Sequence, residues 1–538
     1  MVTHETIAVH CHPKVNQSRA NAFANPYVQL ENVSFHYPRR GCGNGLGGAG
    51  VRGINDVSFS VSGGDRVVVL GCNGSGKSTL LSLIAGRRKA TSGRVTVLGT
   101  DAFDNTQLQQ HVAFIADPWP EEAFFGTTVN TVVSSSSQSE RTCRIAAALD
   151  ISLNASVDKL SSGQRRTVQI LHGIHRRSAL YLLDECSTDV DVSTRKVILE
   201  MVKKDCIYGK SCCMYATHIL DGVSDWATHV MFMHDGRVID IRLASHIEKP
   251  LGQFAYQLLS KRRQAALLIE AQPSQAHENA QVCDDTKAPT ACQESALASS
   301  IIPGGDVVIA CNGLNFKDVF NNLSFHIFGG ERVLMCGRNG VGKTTLLNMM
   351  GGKQFFDNSA GALRILGRAC YDDMSLNAMV SLAGDWWRAP PPCELHVREM
   401  LQLDTSRARG LCTLLEVDLD WDVRHISSGE RKRVQLLHHL LVERPIVLLD
   451  EATSDLDLDM RRSLLSFLYC ESVKSGVTVV YATHIFDDLD EWPTTVMVLD
   501  RSCGGLSAVL RRTDHGPFDF YGLLQEYLAT RDLPFHDF

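Results

Sequence analysis

The sequence predicts an α/β fold built twice over, and three observations carry that expectation. The segments "GCNGSGKSTLLSLIAG" at 71–86 and "GRNGVGKTTLLNMMGG" at 337–352 are near copies. Their offset of 266 residues then recurs, matching Lys77 to Lys343, Ser161 to Ser427, Asp184 to Asp450, Glu185 to Glu451, His218 to His484 and Phe254 to Phe520. Within each copy, short apolar runs alternate with stretches of helical period. One register held across so many landmarks marks a tandem duplication.

Each unit reads as strand, phosphate loop, helix, variable middle, then helix, strand and strand. "RVVVL" (66–70) and "RVLMC" (332–336) are apolar runs of buried-strand type. "STLLSLIAG" and "TTLLNMMGG" place apolar residues on a helical period and stop at glycine. "ALYLLDE" and "PIVLLDE" are again buried strands and end in acids, and "CCMYATH" and "TVVYATH" supply one more each. Strands joined by helices imply a mostly parallel sheet, with chemistry at the strand C-terminal ends.

The boundaries follow. Residues 1–26 form an N-terminal arm, 27–263 the first unit, 264–306 a flexible linker and 307–538 the second unit. The linker contains "AQPSQAHENAQVCDDTKAPTACQESALASS", rich in Ala, Ser, Gln and acids with little apolar period; a short packed helix is the alternative. "RRGCGNGLGGAG" at 39–50 has no counterpart in unit two and no following GK, so it reads as a flexible hairpin tip.

Composition narrows the function. With 44% hydrophobic and 21% charged residues, the 538-residue chain has the make-up of a soluble globular protein. A net charge of −7 gives no global basic field to draw it to nucleic acid or anionic lipid. Its 17 cysteines are odd in number and scattered, fitting a reduced compartment rather than a disulfide framework. No stretch reaches the ~18–20 apolar residues that cross a bilayer, and the N-terminus lacks the apolar core of a secretory signal.

The chemistry sits in the repeated motifs. Gly71-Cys72-Asn73-Gly74-Ser75-Gly76-Lys77-Ser78 and Gly337-Arg338-Asn339-Gly340-Val341-Gly342-Lys343-Thr344 both satisfy G-x-x-x-x-G-K-[ST] and lead into Thr79 and Thr345. Glycines let successive N–H groups close on phosphate oxygens at a helix N-terminus. Lys77 and Lys343 are placed to neutralise the β- and γ-phosphates of ATP, and Ser78 and Thr344 offer hydroxyls to Mg²⁺. At the strand ends, Asp184 and Asp450 suit the Mg²⁺ shell, while Glu185 and Glu451 suit polarisation of the attacking water. Cys72 reads as a tolerated small residue in its loop.

"LSSGQRRTVQ" (160–169) and "ISSGERKRVQ" (426–435) resemble the L-S-G-G-Q signature of ATP-binding-cassette (ABC) proteins, with Ser162 and Ser428 in place of the first glycine. "DECSTDVD", "DEATSDLD" and the single histidines His218 and His484 complete the likeness, which spans both units. The resemblance implies, in each unit, a parallel-sheet core with a small antiparallel β subdomain and a helical subdomain. It also implies head-to-tail pairing of the units. Lys77, Asp184, Glu185 and His218 would face Ser427, Gly429 and Glu430; Lys343, Asp450, Glu451 and His484 would face Ser161, Gly163 and Gln164. Both sites keep a full set of residues, so two hydrolytic sites are expected. One slow site is the rival, since an acid at Glu430 would repel phosphate at close range. Tyr37 stands where the family stacks an aromatic on adenine. Unit two gives no clean match: Phe316 aligns with core residue Phe35, and Phe320 is either a substitute or core.

Transporter cassettes place a glutamine after a strand in the variable middle. Here "AFIADPW" and "VSLAGDWW" put Asp117 and Gly384 at the nearest positions, followed by Trp119 and Trp386. The tryptophans read as contacts for a soluble partner, with ordinary packing the rival. "MYATHILDGVSDWATHV" and "VYATHIFDDLDEWPTTV" further resemble a soluble eukaryotic group of ABC subfamily I, factors associated with the carbon-catabolite-repression/NOT complex. That group resembles single cassettes, whereas this chain has two, so a monomer with its cassettes paired within one chain is expected. The likeness implies an ATPase of the cytoplasm and also the nucleus, using ATP and Mg²⁺ and regulating a transcription or mRNA-turnover complex. The alternatives are the ATP-hydrolysing subunit of a transporter with separate membrane subunits, and a ribosome-associated tandem translation factor.

Overall fold

The computed structural model describes residues 26–37, 51–119, 124, 126–133, 139–188, 190–247, 251–255, 305–358, 361–384, 394–401, 405–487 and 489–512. Residues 1–25 of the arm, the Gly-rich 39–50 stretch, linker residues 264–304, Trp386 and Phe520 lie outside them. The two units carry the same pair of sheets. In unit one the six-stranded sheet runs Arg237–Leu243, His229–His234, Arg66–Leu70, Cys212–Ala216, Leu180–Asp184, Val112–Ile115. In unit two the same order reads Ala508–Arg511, Thr495–Leu499, Arg332–Gly337, Thr478–Ala482, Ile446–Asp450, Val380–Ala383. All neighbours are parallel except the outer hairpin pair.

Because both faces of a parallel sheet are covered, its strands are apolar along their whole length rather than alternating. "RVVVL" and "LYLLD" show this: Val67 to Leu70 and Leu180 to Leu183 are all buried. The outer hairpin was not among the strands expected. It turns at Asp235-Gly236, both at positive φ (46° and 71°), the turn that an Asp-Gly pair favours.

The smaller sheet is antiparallel in both units: Val51–Val61, Val28–Tyr37, Ser92–Val97 and Thr100–Asp101 in one, Phe320–Phe328, Val307–Phe316, Leu363–Ile365 and Arg368–Ala369 in the other. Its register settles the aromatic comparison. Phe35 pairs with Ile54 and Phe316 with Phe320, and Ile54 and Phe320 are equivalent under the 266-residue offset. Phe316 therefore matches Phe35, and Tyr37 has no aromatic counterpart. Phe320 is core, 1% exposed among Leu314, Leu323 and Phe325, so it is no substitute at the adenine position.

Helices Val129–Val133, Glu140–Ala148 and Ser162–Ile174 make the helical part of unit one, with Val397–Met400, Ser406–Leu414 and Ser428–Leu440 in unit two. The repeat also preserves core detail. The indole N–H of Trp226 donates to Leu199 O at 2.7 Å, and that of Trp492 to Leu465 O at 2.9 Å. Each ring meets a buried tyrosine edge-on, Tyr215 or Tyr481, at 6.1 Å. A buried indole must satisfy its single donor, and both units solve this with the same helix carbonyl.

Candidate active site

The central position of Arg66–Leu70, beside Cys212–Ala216 and then Leu180–Asp184, brings the loops after three strands together. The first is the phosphate loop. Gly74 and Gly76 have φ of 79° and 100°, and Gly340 and Gly342 of 82° and 107°, in the left-handed region that favours glycine. A Cβ on Gly76 would also lie 2.7 Å from Gly53 O. Helices Lys77–Ile84 and Lys343–Met350 start at these glycines with no side-chain cap, leaving their first N–H groups for an anion. Lys77 Nζ donates to Gly71 O (2.8 Å) and Cys72 O (3.1 Å); Lys343 repeats this with Gly337 O and Arg338 O at the same distances. Ser75 and Val341 are buried beneath their loops, whereas Asn73, Ser78, Asn339 and Thr344 are exposed.

The second loop holds the acids. Thr344 Oγ1 donates to Asp450 Oδ1 at 3.2 Å, and Ser78 bonds Asp184 likewise. Burial pushes both aspartates up to about 6. Asp184 Oδ1 is buried with no hydrogen-bond partner among the described residues. An aspartate with a spare buried oxygen beside a hydroxyl is a hard-oxygen donor set of the kind Mg²⁺ takes, so the residues fit that ion. Glu185 and Glu451 follow at positive φ (44° and 48°), a costly conformation for these residues that turns each carboxylate out of the strand line.

The third loop supplies histidine. His218 Nδ1 lies 3.4 Å from Glu185 Oε2, and His484 Nδ1 lies 2.7 Å from Glu451 Oε2. Burial opposes charge on Glu185, but the hydrogen bond and charge of His218, with Lys77, outweigh it and hold the carboxyl at about 2. Glu451 is held below its ordinary value in the same way by His484 and Lys343 against burial. In both sites the histidine and lysine therefore favour the charged form of the glutamate.

Each site is finished by the other unit. His218 Nε2 donates to Ser454 O at 2.5 Å, and His484 Nε2 to Thr188 O. Asn73 N–H donates to Asp457 Oδ2 (3.4 Å) and its side-chain amide to Asp455 O (3.3 Å), while Asn339 N–H donates to Asp191 Oδ2 (3.1 Å). A Cβ on Gly429 would sit 3.5 Å from Asn73 Nδ2, which places the unit-two signature against the unit-one phosphate loop. The head-to-tail arrangement expected from the resemblance is the one observed. Asp191, Asp457, Thr188 and Ser454 had no role in the sequence reading, although they lie in the quoted "DECSTDVD" and "DEATSDLD" runs and the residues beside them.

The signatures are helix N-termini with a shared device. Ser161 Oγ accepts Gln164 N–H while Gln164 Oε1 accepts Ser161 N–H (3.0 Å); Ser427 and Glu430 do the same, the return bond being 2.7 Å. Glutamine and glutamate close the same capping box, so the Glu430 carboxylate is engaged with its own helix start. Gly163 and Gly429 follow the cap serines on the exposed turn.

Around the base position, the Tyr37 hydroxyl bonds Thr79 Oγ1 (2.7 Å) and Arg88 lies over the Tyr37 ring at 4.9 Å. One ring face is therefore already stacked by a cation. Thr345 in unit two has no tyrosine equivalent to bond. From helix Ser162–Ile174, Arg166 is 4% exposed and donates to Ala116 O (2.5 Å), Glu185 O (3.2 Å) and Cys186 O (3.1 Å); Gln169 Nε2 donates to Asp117 O (2.9 Å). Sequence reasoning missed both residues, which tie the Ala116-Asp117 turn to the strand end that carries Glu185. Trp119 is half-buried, stacked on Phe124 at 4.6 Å and edge-on to His172 at 5.5 Å, so packing accounts for its placement.

Among the described residues, no helix is long and apolar enough to cross a membrane. The ABC transporter family model matches residues 54–188 and 320–454, together half of the chain. ABC transporter I family member 20 of Arabidopsis thaliana is 35% identical over 196 residues, covering 34% of this chain and 59% of its own length. CCR4-associated factor 16 of Saccharomyces cerevisiae is 29% identical over 207 residues, 35% of this chain and 71% of the yeast protein. Among solved structures, an archaeal ribosome recycling factor in complex with a ribosomal stalk protein aligns over 93% of this chain and 92% of its own, at a TM-score of 0.61 and 18% identity, a likeness of fold. Two matched segments carrying two complete motif sets make one statement: the chain belongs to the ABC transporter family and holds two of its ATP-binding cassettes in tandem.

Proposed function

We propose that the chain hydrolyses ATP at two composite sites formed between its cassettes, and that this cycle regulates a soluble protein complex of transcription or mRNA turnover. The observation that carries the hydrolytic part is a glutamate contacted by a histidine that itself bonds the opposite cassette: Glu185–His218–Ser454 O and Glu451–His484–Thr188 O.

The proposed roles follow from that geometry. The loop amides from Gly71 to Thr79, and from Gly337 to Thr345, receive the phosphates, and Lys77 and Lys343 exchange their loop carbonyls for phosphate oxygens. Glu185 or Glu451 accepts the proton of the attacking water, and His218 or His484 fixes that carboxylate. Ser427 and Gly429 close over the first site, with Ser161 and Gly163 over the second, presenting a helix N-terminus to the γ-phosphate. Ser78 with Asp184, and Thr344 with Asp450, would hold Mg²⁺, which when bound would neutralise charge on the transferred group. Tyr37 stacks adenine in the first site on the face away from Arg88. Replacing Glu185 and Glu451 together by glutamine should abolish phosphate release and keep ATP binding; unchanged release would refute the assignment.

The regulatory part is supported by the match to CCR4-associated factor 16 and by the absence of a glutamine at Asp117 and Gly384. Affinity purification of the double Glu→Gln chain with and without ATP tests it. Recovery of a deadenylation or transcription complex supports the proposal. Co-sedimentation with ribosomes would replace it with the translation reading, and co-purification of a permease with the transporter reading.

A further inference from the structure

Three residues beyond each active-site histidine, the cassettes meet a second time. Leu220 N–H donates to Asp487 Oδ2 at 2.7 Å, and Phe486 N–H donates to Asp221 Oδ2 at 3.0 Å. The two bonds are equivalent under the 266-residue offset, and each carboxylate takes the amide that directly precedes the other carboxylate in sequence. This reciprocity brings the Asp221 and Asp487 carboxylates side by side across the seam. Both are nearly excluded from water, with side-chain exposures of 6% and 11%. Behind each stands one guanidinium of its own cassette: Arg195 Nη1 lies 3.6 Å from Asp221, and Arg461 Nη1 lies 3.8 Å from Asp487. Those arginines are 2% exposed, and they too are equivalent under the offset.

Two carboxylates in one dry site repel if both are ionised, and such pairs settle by keeping a proton between them. The flanking guanidiniums favour charge, but at 3.6 and 3.8 Å neither reaches hydrogen-bond range, and each serves only its own acid. We propose that Asp221 and Asp487 share one proton across the seam, and that this bridge is a positioning device that ties the His218 loop of one site to the His484 loop of the other. The inference rests on the two-site reading above and adds to it the means by which one site senses the other. His218 and Asp221 lie on one short loop, as do His484 and Asp487, so a shift of either histidine pulls on the opposite loop through the bridge.

The sign of the pH effect is fixed by the burial of Asp487 and its nearness to Asp221, which raise it well above the ordinary carboxyl value. A raised acid holds its proton while the seam is closed and releases it when the carboxyls separate. Seam stability from the bridge is therefore present on the acid side and is lost as pH rises through the raised value. Besides Arg195 and Arg461, the described titratable groups on the two loops are His218 and Asp225 on one and His484, Asp490 and Glu491 on the other. Each histidine is already committed to a glutamate and to a carbonyl of the opposite cassette.

The test uses the full chain. Infrared spectra at neutral pH should show the carbonyl stretch of a protonated carboxyl in the wild type. It should be lost in both Asp221→Asn and Asp487→Asn, because an amide supplies the bridging hydrogen and leaves the partner ionised. Both Asn variants should keep cooperative ATP turnover, with a Hill coefficient near that of the wild type and a flatter pH profile. Asp221→Ala, which removes the bridge, should lower the coefficient toward about 1 from a ceiling of about 2 for two sites. A band that is missing in the wild type, or that persists in both Asn variants, overturns the shared proton. A wild type without cooperativity, or an Ala variant that keeps it, overturns the coupling. If the chain hydrolyses no ATP at all, the two-site reading fails while the infrared result still decides the proton.

Discussion

Asp191 performs two tasks with its two oxygens, and a pair of substitutions separates them. Oδ1 accepts Thr194 N–H at 2.9 Å and caps helix Val192–Tyr208; Oδ2 accepts Asn339 N–H from the phosphate loop of the other cassette at 3.1 Å. Burial opposes its charge, but these donors together hold Asp191 below its ordinary value, so the bond to Asn339 is charge-assisted. Serine is a good cap and too short to reach the opposite loop. Asp191→Ser should therefore remove one charged hydrogen bond, worth about 1.5 kcal/mol at the weak end of the range, and leave the helix capped. In the non-hydrolysing Glu185→Gln, Glu451→Gln chain, calorimetric titration with ATP should show one of two binding steps weakened about tenfold and the other unchanged. Asp191→Ala should add about 1 kcal/mol of lost unfolding free energy, read from urea melts, because the cap goes as well. Asp457→Ser should do less than Asp191→Ser, its bond to Asn73 being 3.4 Å long. Equal losses of stability in the Ser and Ala variants would refute the division of labour. Tighter ATP binding would mean that the carboxylate competes with phosphate for that amide.

Three further outcomes follow from the geometry. Lys343→Ala should reduce total ATP turnover to well below half of wild type, since each site is built from both cassettes; a residual rate near half would show independent sites. Trp226→Ala and Trp492→Ala should each cost about 3–5 kcal/mol in denaturant unfolding, through a cavity and an orphaned carbonyl at Leu199 or Leu465. Glu430→Gln should leave unfolding free energy within about 0.5 kcal/mol, because the capping box survives; a clear rise in turnover at the first site would show that the carboxylate had been opposing phosphate.

The parts of this molecule written locally were legible in its sequence. The phosphate loops, the strand-end acids and the signature caps depend on residues that are neighbours in the chain, so spacing alone reveals them. The hairpin Arg237–Leu243 was signalled by Asp235-Gly236 but not read, because the period of His229–His234 is that of a buried strand and suggests no turn. What escaped entirely is what depends on the opposite cassette or on a distant strand. Asp191 and Asp457 look like ordinary helix caps from sequence, which they also are. Arg166 looks like one more polar residue of a signature helix, and only its three carbonyl partners give it meaning. Trp119 stood out as an aromatic in an unusual place, yet its contacts with Phe124 and His172 are a matter of packing that no spacing rule distinguishes from a contact surface.

The reciprocal bonds at Asp221 and Asp487, and at Asp191 and Asp457, obey a pseudo-dyad that maps each cassette's surface onto the other's. A surface related to its partner in this way is self-complementary, the mark of an isologous dimer. Each half thus carries both the key and the lock. A separated cassette should be able to pair with a copy of itself, and fusion into one chain turned a concentration-dependent encounter between equals into a fixed marriage of two copies. From that moment the halves were free to diverge, as the Gln164/Glu430 difference and the unmatched Tyr37 record, provided that residues meeting across the dyad changed together.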